Sequence, residues 1–293
     1  MKLRLQISLR CLGCNMKLVD GRALAKEITE RVKAEVNALQ SSISFVHILV
    51  GNDPAGLIYS DMKQKACDAV GINKQTMHLG VNTSQGALND IIAQLSADEK
   101  VHGILLQLPL PVGLNAREAI SYIAPHKDVD GLTAENFGYL AAEEPRIAPC
   151  TPLGIMHILK ASGVSVAGKD VCVIGRSNIV GKPVALLLTA ANATVTLAHS
   201  KTKDLIKHTR NADIVIVAAG KPKLLTADMV KQGVVVIDVG INRLPDGRIC
   251  GDVDFEHVSK KASLITPVPG GVGPLTIAFL LSNIVQAYIK GED

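Results

Sequence analysis

The sequence predicts an α/β protein made of two parallel-sheet units in series. Three observations carry that expectation. Short runs rich in Val, Ile and Leu alternate with stretches of helical periodicity, which is the rhythm of βαβ units. That rhythm starts twice, on either side of a proline-marked boundary at 149–152. A chain of 293 residues is long enough for two domains of ordinary size.

Taken in order, residues 21–40 place Leu24, Ile28, Val32 and Val36 on one face and read as an amphipathic helix. Residues 44–50 form an apolar run of strand length, 55–70 return to helical spacing, and 75–79 form a short strand. Residues 85–95 read as a helix, and the apolar run 101–106 stops before Pro109 and Pro111. A helix over 154–161 follows the boundary. The second series has strands at 171–174, 194–198, 213–218 and 234–239, with helices at 182–190 and 205–209 and a last strand at 263–266. No charged residue occurs from 264 to 289. Pro267, Pro269 and Pro274, with Gly270, Gly271 and Gly273, predict an irregular loop in its first third. That leaves a helix over 275–289, shorter than the roughly 20 residues needed to span a bilayer.

Composition narrows the function classes. The chain has no Trp, four Tyr and four Phe, so an extended surface that stacks nucleic-acid bases is excluded. A net charge of +4, spread without a basic block, points away from nucleic acid and membrane surfaces and leaves room for an anionic small molecule. Cys67, Cys150, Cys172 and Cys250 fall mostly in apolar runs, as free thiols in a reducing compartment do. Cys11 and Cys14 form a lone CxxC, half of a zinc site with nothing to complete it. None of the eight His is paired as a metal ligand, so no metal is expected. The first acidic residue is Asp20, and the basic stretch before it begins like a mitochondrial presequence. However, residues 2–10 alternate with period two, so 1–15 read as an extension ahead of Met16 and the expected location is the cytoplasm.

Several residues carry candidate chemistry. Gly175, Arg176, Ser177 and Gly181 lie where a strand ends and a helix opens, a place that presents unpaired N–H groups to a phosphate. Ser177 stands where the middle Gly of a GxGxxG fingerprint would be, so the loop also reads as a plain βα turn. The next strand ends in His199-Ser200-Lys201, without the Asp or Glu that grips an NAD ribose. Hydroxyl, Lys and Arg176 suit a 2′-phosphate, which favours NADP over NAD. Tyr59 and Lys63 are four apart on one helix face, where a ring can stack a flat heterocycle and a partly dehydrated amine can act as a base. A surface Lys beside a half-buried Tyr has the same spacing. Gln107 ends a predicted parallel strand, where its amide can meet the Lys63 amine or a ligand. Asp130-Gly131 is a common turn pair, and its carboxylate can also grip an N–H edge with two parallel hydrogen bonds.

Six motifs occur in a fixed order. They are Val50-Gly51-Asn52-Asp53-Pro54-Ala55 with Tyr59 and Lys63, and Gly103-Ile104-Leu105-Leu106-Gln107-Leu108-Pro109-Leu110-Pro111. Lys127-Asp128-Val129-Asp130-Gly131, Pro149-Cys150-Thr151-Pro152, Gly175-Arg176-Ser177 with Ile179-Val180-Gly181-Lys182-Pro183, and the segment 267–276 complete the set. Together they resemble the bifunctional methylenetetrahydrofolate dehydrogenase/cyclohydrolase family from about Met16 to the C-terminus.

The resemblance implies two α/β domains around a cleft, the second Rossmann-like, and a homodimer. It implies domains over 16–153 with 275–293 and over 154–274, with 1–15 outside the pattern. It implies oxidation of 5,10-methylenetetrahydrofolate with NADP⁺, then hydrolysis of the methenyl product to 10-formyltetrahydrofolate. Tyr59, Lys63, Gln107 and Asp130 take the catalytic positions. Leu108, Pro269, Gly270, Gly271, Val272 and Gly273 join them around the folate, while Gly175, Arg176, Ser177, Ser200 and Ile241 take cofactor positions. The family's usual Ser after Pro-Ala is Gly56 here, so one hydroxyl near the folate is missing. Three alternatives compete: a dehydrogenase without cyclohydrolase activity, an amino-acid or shikimate-type dehydrogenase, and a nucleotide-binding scaffold without chemistry. Lys63, Gln107 and Asp130 argue against the last.

Overall fold

A computed structural model describes residues 16–291. The 2–10 alternation and the Cys11/Cys14 pair lie outside them. The chain divides into two compact units, one of residues 26–150 with 277–291, the other of 16–25 with 151–276.

The first elements are strand β1 (Lys17–Leu18) and helix α1 (Gly21–Leu39), in which Ile28, Val32 and Val36 are buried as their spacing predicts. In the 26–150 unit, β2 (Ser44–Val50), α2 (Pro54–Val70), β3 (Asn73–Leu79), α3 (Gln85–Ala97) and β4 (Gly103–Leu106) alternate. The strands form a parallel sheet in the order β3–β2–β4. Period-two alternation gives β2 two different faces. Val46, Ile48 and Val50 pack on Leu88 and Ile92 of α3. His47 faces the other way, towards Ser60 of α2.

Helix α2 starts where local chemistry dictates. Asp53 caps it by accepting from Gly56 N at 2.8 Å, Pro54 takes the first turn, and Gly71 ends it with φ +83°. Two further helices, α4 (Ala116–Ile120) and α5 (Ala134–Ala141), were not expected; Asn115 and Thr133 cap them. A 3₁₀ turn at Pro125–Lys127 leads into the Asp130-Gly131 turn. Gly131 has φ +64°, and a Cβ there would press on the Ala148–Pro149 backbone, so only Gly fits.

The second unit carries α6 (Cys150–Ala161), β5 (Asp170–Ile174), α7 (Gly181–Ala190), β6 (Thr194–Ala198), α8 (Leu205–Thr209), β7 (Ile214–Val217) and β8 (Val235–Asp238). A small antiparallel hairpin, β9 (Asn242–Arg243) with β10 (Ile249–Cys250), precedes α9 (Phe255–Val258) and β11 (Leu264–Ile265). The main sheet has the order β1–β11–β8–β7–β5–β6 and is parallel throughout. From β5 the chain goes outward to β6, then crosses back to β7 on the other side. The switch point therefore lies between β5 and β7, where ligands of open α/β sheets bind. Pairing of β1 with β11 makes residues 17–18 an edge of this sheet, whereas the sequence reading began the other domain at residue 16.

The C-terminal helix corrects one expectation. Helix α10 spans Val272–Gly291, so the irregular loop ends at Gly271 and Pro274 lies within the first turn. Proline is tolerated there because the N–H it lacks would have no helical partner. At 20 residues α10 is long and apolar enough to cross a membrane, so the length argument fails. Its packing is that of a core helix: Leu281, Ile284, Val285 and Ala287 are buried. Buried Asn283 donates to Val129 O and Ala148 O, both at 2.9 Å.

Candidate active site

The β2–β4 sheet and helix α2 bring together the polar residues that the sequence singled out. Gln107 follows β4, held in register by Gln107 N donating to Ile48 O. Lys63 Nζ donates to Gln107 Oε1 at 2.9 Å, and Gln107 Nε2 donates to Leu108 O at 2.9 Å. The amide orientation is thereby set, with its oxygen towards the lysine. Tyr59 lies one turn before Lys63 and is half-buried.

Asp130 completes the group electrostatically. Its turn is anchored by buried Asp128, whose Oδ2 accepts from Thr133 N at 2.7 Å and Asn136 Nδ2 at 3.0 Å. Burial pulls the Lys63 ammonium below the ordinary lysine value, and the Asp130 carboxylate opposes that pull. Burial likewise pushes the Asp130 carboxyl up, against the effect of Lys63. In both groups desolvation is the largest cause, which favours the neutral amine. The neighbouring Cys150 thiol, hydrogen-bonded to Asp130, is pushed well above its usual range by burial and stays protonated.

Three residues here were missed by sequence reasoning. His47 is wholly buried, with Nε2 at 3.1 Å from Gln107 Oε1 and Nδ1 at 3.2 Å from Ser60 Oγ. Lys74 Nζ, also buried, donates to Ser60 Oγ at 3.3 Å. The available signal was parity. His47, two residues from Phe45 and Leu49, shares their face of β2, and Gln107 continues the same face of β4.

The second unit holds the glycine loop. Gly175 has φ +120°, and a Cβ on it would collide with Ala218 O, just beyond β7. A Cβ on Gly181 would collide with Gly175 O. Both positions need bare backbone, and the first lies at the switch point of the sheet. Ser177 Oγ accepts from Val180 N at 3.1 Å and Gly181 N at 3.4 Å, so its hydroxyl oxygen serves the start of α7. Arg176 and Ser200 are exposed on the loops after the adjacent strands β5 and β6. Ile241 is 51% exposed just ahead of the β9–β10 hairpin.

Two buried carboxylates frame these loops. Asp252 accepts from Ala219 N, Gly220 N and Lys221 N at 2.7–2.9 Å. Asp238 accepts from Gly240 N, Asp252 N and Val253 N at 2.9–3.0 Å. Pro269 and Gly270 line a depression of about 260 Å³ together with Asp20 and Arg22.

A parallel sheet with a Gly-shaped phosphate turn at its switch point suits a nicotinamide nucleotide. In the other unit, a buried amine held by a glutamine has the chemistry for proton transfer. The class defined is an NAD(P)-linked oxidoreductase with a second, acid–base activity. Residues 149–292 match the family described as "Tetrahydrofolate dehydrogenase/cyclohydrolase, NAD(P)-binding domain", and residues 19–130 match its catalytic domain. The chain belongs to the tetrahydrofolate dehydrogenase/cyclohydrolase family. It is a bifunctional enzyme of tetrahydrofolate chemistry, with a catalytic and an NAD(P)-binding domain.

Its relatives are similar over nearly their whole length. The "Bifunctional protein FolD" of Dechloromonas aromatica is 51% identical over 274 residues, covering 92% of this chain and 96% of the relative. The crystal structure of the bifunctional FolD from Campylobacter jejuni matches with a TM-score of 0.91 at 50% identity, covering 94% of this chain and 99% of the other. The Trypanosoma brucei enzyme, complexed with NADP cofactor and inhibitor, matches with a TM-score of 0.90 at 39% identity, covering 94% and 98%.

Proposed function

We propose that the chain oxidises 5,10-methylenetetrahydrofolate with NADP⁺ and hydrolyses the methenyl product to 10-formyltetrahydrofolate, with Lys63 as the base. The observation that carries this reading is the Lys63–Gln107 hydrogen bond within a buried site that favours the free amine. The bound nicotinamide supplies the hydride acceptor. Tyr59 stacks the pterin and Asp130 grips its N–H edge. Those two N–H donors favour the Asp130 carboxylate and offset the desolvation that pushes it towards the acid. The resemblance to the family adds Leu108, Pro269, Gly270, Gly271, Val272 and Gly273 to the residues assigned to the folate.

The methenyl cation is an electrophile. Neutral Lys63 takes a proton from the attacking water while Gln107 Oε1 holds one of the amine's N–H groups, which aims its lone pair. Gly175 and Ser177 shape the phosphate turn, Arg176 and Ser200 take the 2′-phosphate, and Ile241 packs on the nucleotide. The end of β6 runs into His199-Ser200-Lys201-Thr202 with no Asp or Glu, which supports NADP over NAD. We assign 154–274, with the edge strand at 17–18, to the nucleotide domain and 26–153 with 275–293 to the catalytic domain. A homodimer in the cytoplasm completes the reading.

The test mixes purified protein with methylenetetrahydrofolate and either NADP⁺ or NAD⁺, following reduced nucleotide and methenyl absorbance together. Reduction with NADP⁺, followed by decay of the methenyl band, is expected. Lys63→Met should abolish that decay while NADP⁺ still binds. Undiminished hydrolysis in the variant refutes the assignment of the base.

A further inference from the structure

We propose that Lys74, Ser60 and His47 form a hydrogen-bonded relay that fixes the Gln107 amide and keeps Lys63 in its free-amine form, so that all three are positioning residues for hydrolysis. The inference rests on the reading of Lys63 as the base.

The directions of the hydrogen bonds are determined link by link. Gln107 Nε2 is spent on Leu108 O, so Gln107 Oε1 faces His47 as an acceptor. His47 must then carry its proton on Nε2 and accept at Nδ1. Ser60 donates its hydroxyl proton to His47 Nδ1 and uses an oxygen lone pair to accept from Lys74 Nζ. Lys74 Nζ also donates to Gln64 Oε1 at 3.4 Å and to Thr76 Oγ1, so all three ammonium protons are placed. The result is one polarised chain from Lys74 through Ser60 and His47 to Gln107, ending on the atom that Lys63 also uses.

This arrangement acts on Lys63 in two ways. Burial lowers the Lys74 pKa and Cys67, Asp61 and Asp68 oppose that; the Lys74 ammonium they sustain repels a second positive charge at Lys63. The His47 donor occupies part of Gln107 Oε1 and weakens its ability to stabilise an ammonium, since two donors compete for one oxygen. The other groups acting on Lys63 are Asp130, Cys150 and Cys67, which favour the ammonium. Burial, helped by Lys63 and Lys74, pushes the His47 pKa down to about 3, so it remains neutral throughout the working range. It is a fixed donor rather than a titrating switch. All three relay residues are at most 7% exposed, which shields the chain from exchange with water.

The experiment reads methenyltetrahydrofolate hydrolysis by the full chain against pH, for wild type, Lys74→Met, Lys74→Arg, His47→Val, His47→Gln and Lys63→Met. NADP⁺ binding reports whether each variant is folded. Lys74→Met and His47→Val should move the acid limb of kcat to higher pH, by about half a unit or more. Lys74→Arg keeps the charge and His47→Gln keeps an N–H donor, so each should hold the limb close to wild type. A fall in rate with an unmoved limb in both Lys74→Met and His47→Val would mark a merely structural role and overturn the relay. If Lys63→Met still hydrolyses, the reading of Lys63 fails. If it is inactive and the limb stays put in the relay variants, only the relay fails.

Discussion

Lys63 Nζ lies 2.9 Å from Gln107 Oε1, and this one contact joins a helix face to a strand end. Its consequence is a pH dependence with a defined sign. Burial lowers the Lys63 pKa, so the amine is free over more of the neutral range than an exposed lysine would be. Hydrolysis should fall as pH drops through that value, because the ammonium cannot accept a proton. Asp130 raises the Lys63 pKa, so Asp130→Asn should move the acid limb of kcat to lower pH. The same variant should raise KM for the folate substrate by tenfold or more, about 1.4 kcal/mol, for loss of a charged hydrogen-bond pair. An acid limb that moves upward contradicts the coupling.

Gly175→Ala tests the phosphate turn. The position has φ +120°, and a Cβ would drive into Ala218 O, which belongs to backbone and cannot swing away. The loop must shift, and NADP⁺ should bind at least about tenfold more weakly, about 1.4 kcal/mol. Titration of protein fluorescence or calorimetry with NADP⁺ measures this directly. Hydrolysis of supplied methenyl substrate, which uses the other unit, should suffer less. Equal affinity in the variant would remove Gly175 from the nucleotide site.

What was legible in advance follows from how each signal arises. The strands β2, β4, β5, β7 and β8 announced themselves because most of their residues are buried on both faces and so read as mainly apolar runs. Helices α4 and α5 did not, being only five and eight residues long and depending on caps at Asn115 and Thr133. The start of α10 was misplaced because Gly273 and Pro274 read as breakers, although a first turn tolerates both. In the site, Lys63 and Gln107 could be paired from helix periodicity and a strand end. His47 was hidden inside a run that reads as plain core. Its partner Ser60 comes from a different element, a long-range contact that periodicity does not encode.

Gly56→Ser probes the departure from the family pattern. Gly56 occupies the first turn of α2, and an added Cβ would meet Asp53 Oδ2 at 3.4 Å and Gln107 Cγ at 3.6 Å, ordinary contacts. The variant should fold, and replacing glycine in a helix should stabilise it by about 0.5 kcal/mol. The new hydroxyl would stand beside Gln107. A lower KM for methylenetetrahydrofolate is expected, with Tm unchanged or raised by about 1 °C. A large drop in Tm would show that the glycine is needed for packing.

Asp238 sets a pH dependence of stability in the nucleotide unit. Burial pushes its carboxyl up to about 6 despite three backbone N–H donors. Between the unfolded value near 4 and about 6, the folded protein therefore binds a proton that the unfolded chain releases. The favourable contribution of this group is complete below about pH 4 and is lost as pH rises through 6. The displacement corresponds to something on the order of 3 kcal/mol. Asp238→Asn keeps the shape and removes the titration, so its Tm should vary less than wild type between pH 4.5 and 6.5. Absolute Tm is the weaker readout, because an amide cannot accept at both ends and gives up the bond from either Val253 N or Gly240 N and Asp252 N. The informative quantity is the difference in slope, measured by thermal melts across that window. Parallel Tm profiles for the two proteins would mean that Asp238 titrates in the fold as it does in the unfolded chain.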